Sequence, residues 1–238
     1  LMVVLISGMS LVGYLVLKWV GNRWGGPVLG ILGGIVSSTA TTLAFSRRAK
    51  EDSDFSRTAA VVVVLASSVV MIRVAVEVAV INPSLLHVVG LPIGAMFAAG
   101  LAAGGLIWSR VRSEELEVHE AKNPAELTSA VAFGLLYGVV LLAVSAGKFY
   151  FGSEGVYVVS FVSGLTDVDA ITLSSARLSD QGVLAPAQAR VAILLAISAN
   201  LLFKLAAVRI IGTPRMARWT ALGFGTIAAA GTAALFLI

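Results

Sequence analysis

The chain of 238 residues has no cysteine. That excludes disulfides, thiolate metal sites and cysteine nucleophiles. Its two histidines, His87 and His119, are too few for a histidine-based metal cluster. Charge is also scarce. Asp, Glu, Lys and Arg together make 13% of the residues, against 58% hydrophobic and a mean hydropathy of +0.95. Soluble domains carry roughly 25% charged residues, so this chain cannot coat a water-facing surface. A soluble enzyme and a disordered tail are both excluded. Barrel strands would alternate apolar and polar residues, and that alternation is missing. The net charge of +4 fits basic loops beside a membrane better than nucleic-acid binding.

What is present is long apolar runs, the mark of membrane helices. Eight segments stand out: 1–17, 27–45, 59–81, 85–108, 127–146, 156–176, 191–211 and 219–238. They predict an all-α, polytopic membrane bundle. The one long hydrophilic stretch, 110–128, is rich in Glu and reads as a water-exposed connector in which His119 is simply solvated. It divides the chain into a first repeat (1–108), a connector (109–128) and a second repeat (129–238). The chain opens on Leu1 and is apolar at once, with no basic leader before it. It therefore reads as a segment of a longer protein, not as a signal peptide.

The two halves resemble one another. A slide of 130 residues pairs Gly34 with Gly164, Arg47 with Arg177, Ser68 with Ser198, and Ala40-Thr41-Thr42-Leu43 with Ala170-Ile171-Thr172-Leu173. After one extra residue the slide becomes 131, and Arg73 meets Lys204 while Pro83 meets Pro214. Eight spanning segments would make the repeats parallel, with loop bases divided 9 to 6. If the second segment of each half instead dips in and returns, the repeats are inverted. The bases then divide 12 (Lys18, Arg23, Arg47, Arg48, Lys50, Arg57, Arg110, Arg112, Lys122, Arg209, Arg215, Arg218) to 3 (Lys148, Arg177, Arg190). The second division is the stronger positive-inside signal and favours inverted repeats, although both dipping segments are long enough to span.

Polar clusters interrupt those two segments. The first reads Gly33-Gly34-Ile35-Val36-Ser37-Ser38-Thr39-Ala40-Thr41-Thr42, the second Ser163-Gly164-Leu165-Thr166-Asp167-Val168-Asp169-Ala170-Ile171-Thr172. Thr166 and Asp169 have the spacing of a capping box, which predicts a helix starting afresh with Gly164 at the break. Interrupted segments at matching places in two halves point to a transport site. Asp167 and Asp169 would face opposite ways on a continuous helix but can share one site at a helix start. A carboxylate in mid-membrane costs at least about 2.5–3.5 kcal/mol on insertion scales, so each calls for a partner or a cation. Ser37, Ser38, Thr39, Thr41, Thr42, Thr172 and Asn200 are further binding candidates, with Asp167 and Asp169 as candidate metal ligands. The hydroxyls could equally bond back to their own helices. Arg73 and Glu77, four apart on one face, and Lys204 are candidate gating or charge-pairing residues. The internal charges sum to −3 (Asp167, Asp169, Glu77) and +2 (Arg73, Lys204), which leaves room for a cation. Gly26, Gly30 and Gly34, like Gly100 and Gly104, have the four-residue spacing of close helix packing.

At these motifs the chain resembles the membrane domain of unknown function found C-terminal to MgtC/SapB-type domains. The residues that carry the resemblance are 34–43, Val76-Glu77-Val78, Asn123-Pro124-Ala125-Glu126-Leu127, 164–173 and Ser198-Ala199-Asn200-Leu201-Leu202-Phe203-Lys204. It implies a prokaryotic plasma-membrane location and, through the neighbouring domain alone, a link to magnesium.

The leading expectation is a transporter or channel for a cation or small polar solute. The alternative is a non-transporting regulatory or assembly module of the MgtC/SapB type. No catalytic constellation is found, so the chain is not read as an enzyme and no cofactor is called for beyond a bound cation. Expected partners are the lipid bilayer, the ion or solute, and a second copy or an N-terminal MgtC-like domain. No nucleic acid is expected.

Overall fold

The computed structural model describes residues 25–111 and 127–236. Seven helices account for nearly all of these, and no strand occurs among them. They are α1 (Gly26–Glu51), α2 (Ser56–Ile81), α3 (Pro83–Trp108), α4 (Leu127–Thr166), α5 (Val168–Asp180), α6 (Pro186–Ile211) and α7 (Pro214–Leu235). The segment expected at 1–17 and most of the connector, including His119, lie outside the described residues. Five stretches are long and apolar enough to cross a membrane: α1, α2, α3, 138–166 within α4, and α6. The protein is a multi-pass helical membrane bundle.

Local chemistry sets the helix starts. Proline stands at the first or second position of α1, α3, α6 and α7, where its fixed φ helps and its missing N–H costs nothing. Asn82 caps α3 by accepting from the Leu85 N–H, and Thr213 caps α7 by accepting from the Met216 N–H. α2 is the central helix. Its residues 58–71 are all buried, as expected of a helix that is apolar all round. Small residues bring neighbours against it: α3 packs Gly104 on Leu65, and α7 packs Gly223 on Val64.

Neither α1 nor α4 is one straight rod. In α1 the backbone leaves the helical region at Ser37, where it is extended (φ −167°, ψ 106°). A Cβ on Gly26 would meet Thr58, one on Gly30 Val62 and Leu65, and one on Gly34 Ala66 and Val69. The first arm, 26–36, therefore runs alongside α2 in the same direction. The second arm, 38–51, comes back. Ser38 lies level with Ser67, since Lys204 bonds to both, and Ser46 lies beside Gly212, next to the Ser56–Thr213 contact. So α1 is a hairpin with both ends on one side, although its 26 residues could span about 39 Å if straight.

The second half holds a matching fold-back. α4 reverses at Gly152, whose φ of +62° suits glycine. Gly147 and Gly155 then pack backbone to backbone. The arm 153–166 runs alongside α6 in the same direction, with Ser153 accepting from Gln188 at 2.5 Å and Gly164 against Ala196. The chain breaks at Asp167, and α5 returns to the 181–185 turn that begins α6. The segment expected as one unit over 156–176 is thus two half-helices joined at Asp167. The break falls three residues beyond Gly164, where the capping spacing had placed it. Gly164 itself is a contact point, as is Gly34.

α2 and α6 are antiparallel: Ser56 bonds to Thr213, and Lys204 to Ser67. The two hairpins consequently enter the bundle from opposite ends. Their tips meet near the middle of α2 and α6.

Candidate functional site

Each hairpin tip is a helix N-terminus held by its own side chain. Ser37 Oγ accepts from the Ala40 N–H at 3.2 Å, and Asp167 Oδ1 accepts from the Ala170 N–H at 2.9 Å. Both satisfy a donor that a new helix leaves free. The first turn of α5 also carries Asp169, favourably placed for the helix dipole. The break, not glycine, gives Asp167 and Asp169 a common outlook.

Between the tips lies a cavity of about 200 Å³, and Ser37, Ser38, Thr39, Thr166, Asp167 and Asp169 line it from the hairpins. Val36 and Val168 complete those walls, and Val70, Arg73 and Asn200 close it from α2 and α6. The cavity is far larger than the space one water needs, and its wall is mostly polar.

Charged groups cross from one half to the other. Arg73, on α2, forms an ion pair with Asp169 at the tip of the second hairpin. Lys204, on α6, is 1% exposed and donates to Ser38 of the first hairpin at 2.9 Å and to Ser67 at 3.5 Å. Asn200 donates from Nδ2 to the Gly164 carbonyl at 3.1 Å, holding the second tip. Arg73 pairs with Asp169 and not with Glu77, four residues away on its own helix. Lys204 does not reach for an interface; its ammonium stays among hydroxyls.

The sequence-derived candidates sort by position. Ser37, Ser38, Thr39, Asp167, Asp169, Asn200 and Arg73 line the cavity. Thr41 and Thr42 stand one turn along α1 with their hydroxyls donating back to the Ser37 and Ser38 carbonyls, both at 2.8 Å. Thr172 and Glu77 are fully buried one turn behind the Arg73–Asp169 pair. Ser67, which shares Lys204 with Ser38, was not singled out. Ser67 and Ser68 stand side by side in the valine-rich α2, and only the tertiary structure shows that Ser67 faces Lys204 while Ser68 donates back to the Val64 carbonyl. Among the described residues no group of three or more His, Asp or Glu is placed to hold a metal ion. Asp169 already serves Arg73, and one oxygen of Asp167 serves as a helix cap.

A family model for a domain of unknown function, DUF4010, matches residues 4–212. The chain belongs to the DUF4010 family. It is also similar to an uncharacterized protein of Aquifex aeolicus (strain VF5), 36% identical over 188 residues, which cover 78% of this chain and 82% of that one. No solved structure matches. The match spans both hairpins, so the cavity lies wholly within the DUF4010 region.

Proposed function

We propose that this DUF4010 protein is a membrane transport module for a cation or a small polar solute, bound between the two hairpin tips. One observation carries the reading: two broken segments from opposite ends of the bundle meet at a polar cavity near mid-depth. Broken helices expose backbone and charged groups that lipid cannot solvate, so they persist where they line a cavity.

The two halves are read as inverted repeats. Support comes from matched details 130 or 131 positions apart: the caps Ser37 and Asp167, the contacts of Gly34 with Ala66 and Gly164 with Ala196, and the crossing cations Arg73 and Lys204. The membrane is taken to be a prokaryotic plasma membrane. Arg47, Arg48, Lys50, Arg57, Arg110, Arg215 and Arg218 lie toward the Ser56–Thr213 end, against Lys148, Arg177 and Arg190 at the other. The positive-inside bias puts the first end in the cytoplasm.

The test is flux into proteoliposomes of radiolabelled sodium and of small zwitterions such as glycine. Asp167→Asn keeps the helix cap and removes the charge. Flux that falls at least about tenfold in this variant, in protein that unfolds at the same temperature, is the expected result. A regulatory module of the MgtC/SapB type gives no flux with any solute and instead retains a partner domain.

A further inference from the structure

Behind the cavity, α2 and α5 bury oxygen atoms for which the described residues supply no donor. Both carboxylate oxygens of Glu77 lack a hydrogen-bond donor among the described residues, and so does Thr172 Oγ1. Glu77 and Thr172 are each 0% exposed. Glu77 lies against Asp169, carboxyl to carboxyl, and among the described residues no Lys, Arg, hydroxyl or amide group donates to Glu77. An unpaired buried charge is expensive enough that it rarely persists without a partner.

Register brings these groups together. α2 and α5 run in the same direction and meet at Arg73–Asp169. Glu77 follows Arg73 by four residues and Thr172 follows Asp169 by three, so both sit one turn further along the same interface. Thr172 shares with the buried Ser175 and Thr220 a hydroxyl without a partner among the described residues, but of the three only Thr172 stands a single turn from Asp169. Thr42, its counterpart under the 130-residue slide, donates back to the Ser38 carbonyl at 2.8 Å, and Ser68 and Ser174 donate back to carbonyls at 2.8 and 2.7 Å. The Thr172 hydroxyl makes no such bond. Its oxygen is left for another partner.

We propose that Glu77, Asp169 and Thr172 form a site for one hard monovalent cation, tested here as sodium, directly behind the transport cavity. Glu77 would give two oxygens, Thr172 one, and Asp169 the oxygen that Arg73 does not take. Hard cations prefer such all-oxygen sets. Charge fixes the valence: with the carboxyls ionised around the ion, Glu77, Asp167 and Asp169 contribute −3 and Arg73 and Lys204 contribute +2, so one unit of positive charge completes the group. The inference rests on the transport reading, in which this ion is the coupling ion. Occupancy would fix Asp169, and through it the second hairpin tip.

The experiment uses the full chain in lipid nanodiscs, with no solute and no gradient. Sodium chloride replaces choline chloride at constant ionic strength, and binding is read by titration calorimetry and by the unfolding temperature. Saturable heat and a raised unfolding temperature are expected with sodium and not with choline. Glu77→Gln and Thr172→Val should each weaken binding by more than about tenfold. Thr172→Val should unfold in choline at the wild-type temperature, which keeps the test sound if Glu77→Gln misfolds. No saturable heat from sodium, potassium or lithium overturns the site, as does binding unchanged in Thr172→Val. An infrared band of a protonated carboxylic acid, absent in Glu77→Gln and indifferent to sodium, would mean that the carboxyl pair shares a proton, and overturns it too. Sodium binding without solute flux defeats the transport reading alone; flux without sodium binding defeats the cation site alone.

Discussion

Ser37 and Asp167, 130 positions apart, end one half-helix and begin the next in the same way: each has an extended backbone and caps the N–H three residues on. One does so with a hydroxyl and the other with a carboxylate. The first hairpin tip is therefore neutral and the second carries charge. The cations are arranged to suit. Arg73 meets the acidic tip, whereas Lys204 meets the hydroxyl tip.

The capping role can be separated from the charge. Asp167→Ala should cost about 0.5–2 kcal/mol, the usual loss for removing an N-cap. Asp167→Asn should cost much less, because an amide oxygen can accept the same bond. Thermal unfolding of the purified variants measures both. Equal losses would mean that the carboxylate is held for its charge and not as a cap.

The two crossing cations should respond differently to removal. Arg73→Met strands Asp169 and Glu77 without a cation and should destabilise by about 3–5 kcal/mol. Adding Asp169→Leu to it should restore part of that loss, a coupling read from the double-mutant cycle. Lys204 contacts hydroxyls at the site and forms no salt bridge among the described residues. Lys204→Met should leave stability within about 1 kcal/mol of wild type while abolishing flux.

Opposite insertion of the hairpins makes a topological prediction. Ser53 and Val183 are exposed in the turns that follow the first and second hairpins. The chain has no cysteine, so Ser53→Cys and Val183→Cys each give one labelling site. In oriented membrane vesicles, a membrane-impermeant maleimide should reach them from opposite sides. Labelling of both from one side would rule out the inverted arrangement.

Tip depth depends on close backbone approach. A Cβ on Gly164 would come within 2.5 Å of the Ala196 backbone, and one on Gly34 within 2.5 Å of the Ala66 carbonyl. Gly164→Val and Gly34→Val should each destabilise by at least about 1–3 kcal/mol through overpacking. Gly94, with nothing within 4 Å of its Cβ position, should accept alanine without loss. Unfolding curves in detergent compare the three.

Residue order alone shows where the two interrupted segments lie, because Ser37 and Asp167 stand out as polar landmarks in an apolar background. Glycine as a helix breaker sets the second interruption at Gly164, three residues before the break at Asp167. In lipid, glycine more often allows helices to touch, and an aspartate that can cap its own helix marks the start better. The salt bridge of Arg73 was not legible at all. Spacing offers Glu77 as the natural partner on the same helix, and 96 residues separate Arg73 from Asp169 in sequence.

The sequence alone determined the medium and the building units: 58% hydrophobic residues in long runs can be stable only as helices in lipid. It also marked where those helices are interrupted, because polar residues in mid-segment are costly unless covered. Only the tertiary structure decided that the interrupted segments fold back, that they do so from opposite ends, and that Arg73 meets an acid whereas Lys204 meets hydroxyls. Those outcomes depend on contacts between residues far apart in the chain, such as Gly34 on Ala66 and Gly164 on Ala196. Periodicity describes one helix at a time, and the same pattern serves a straight span and a hairpin equally well.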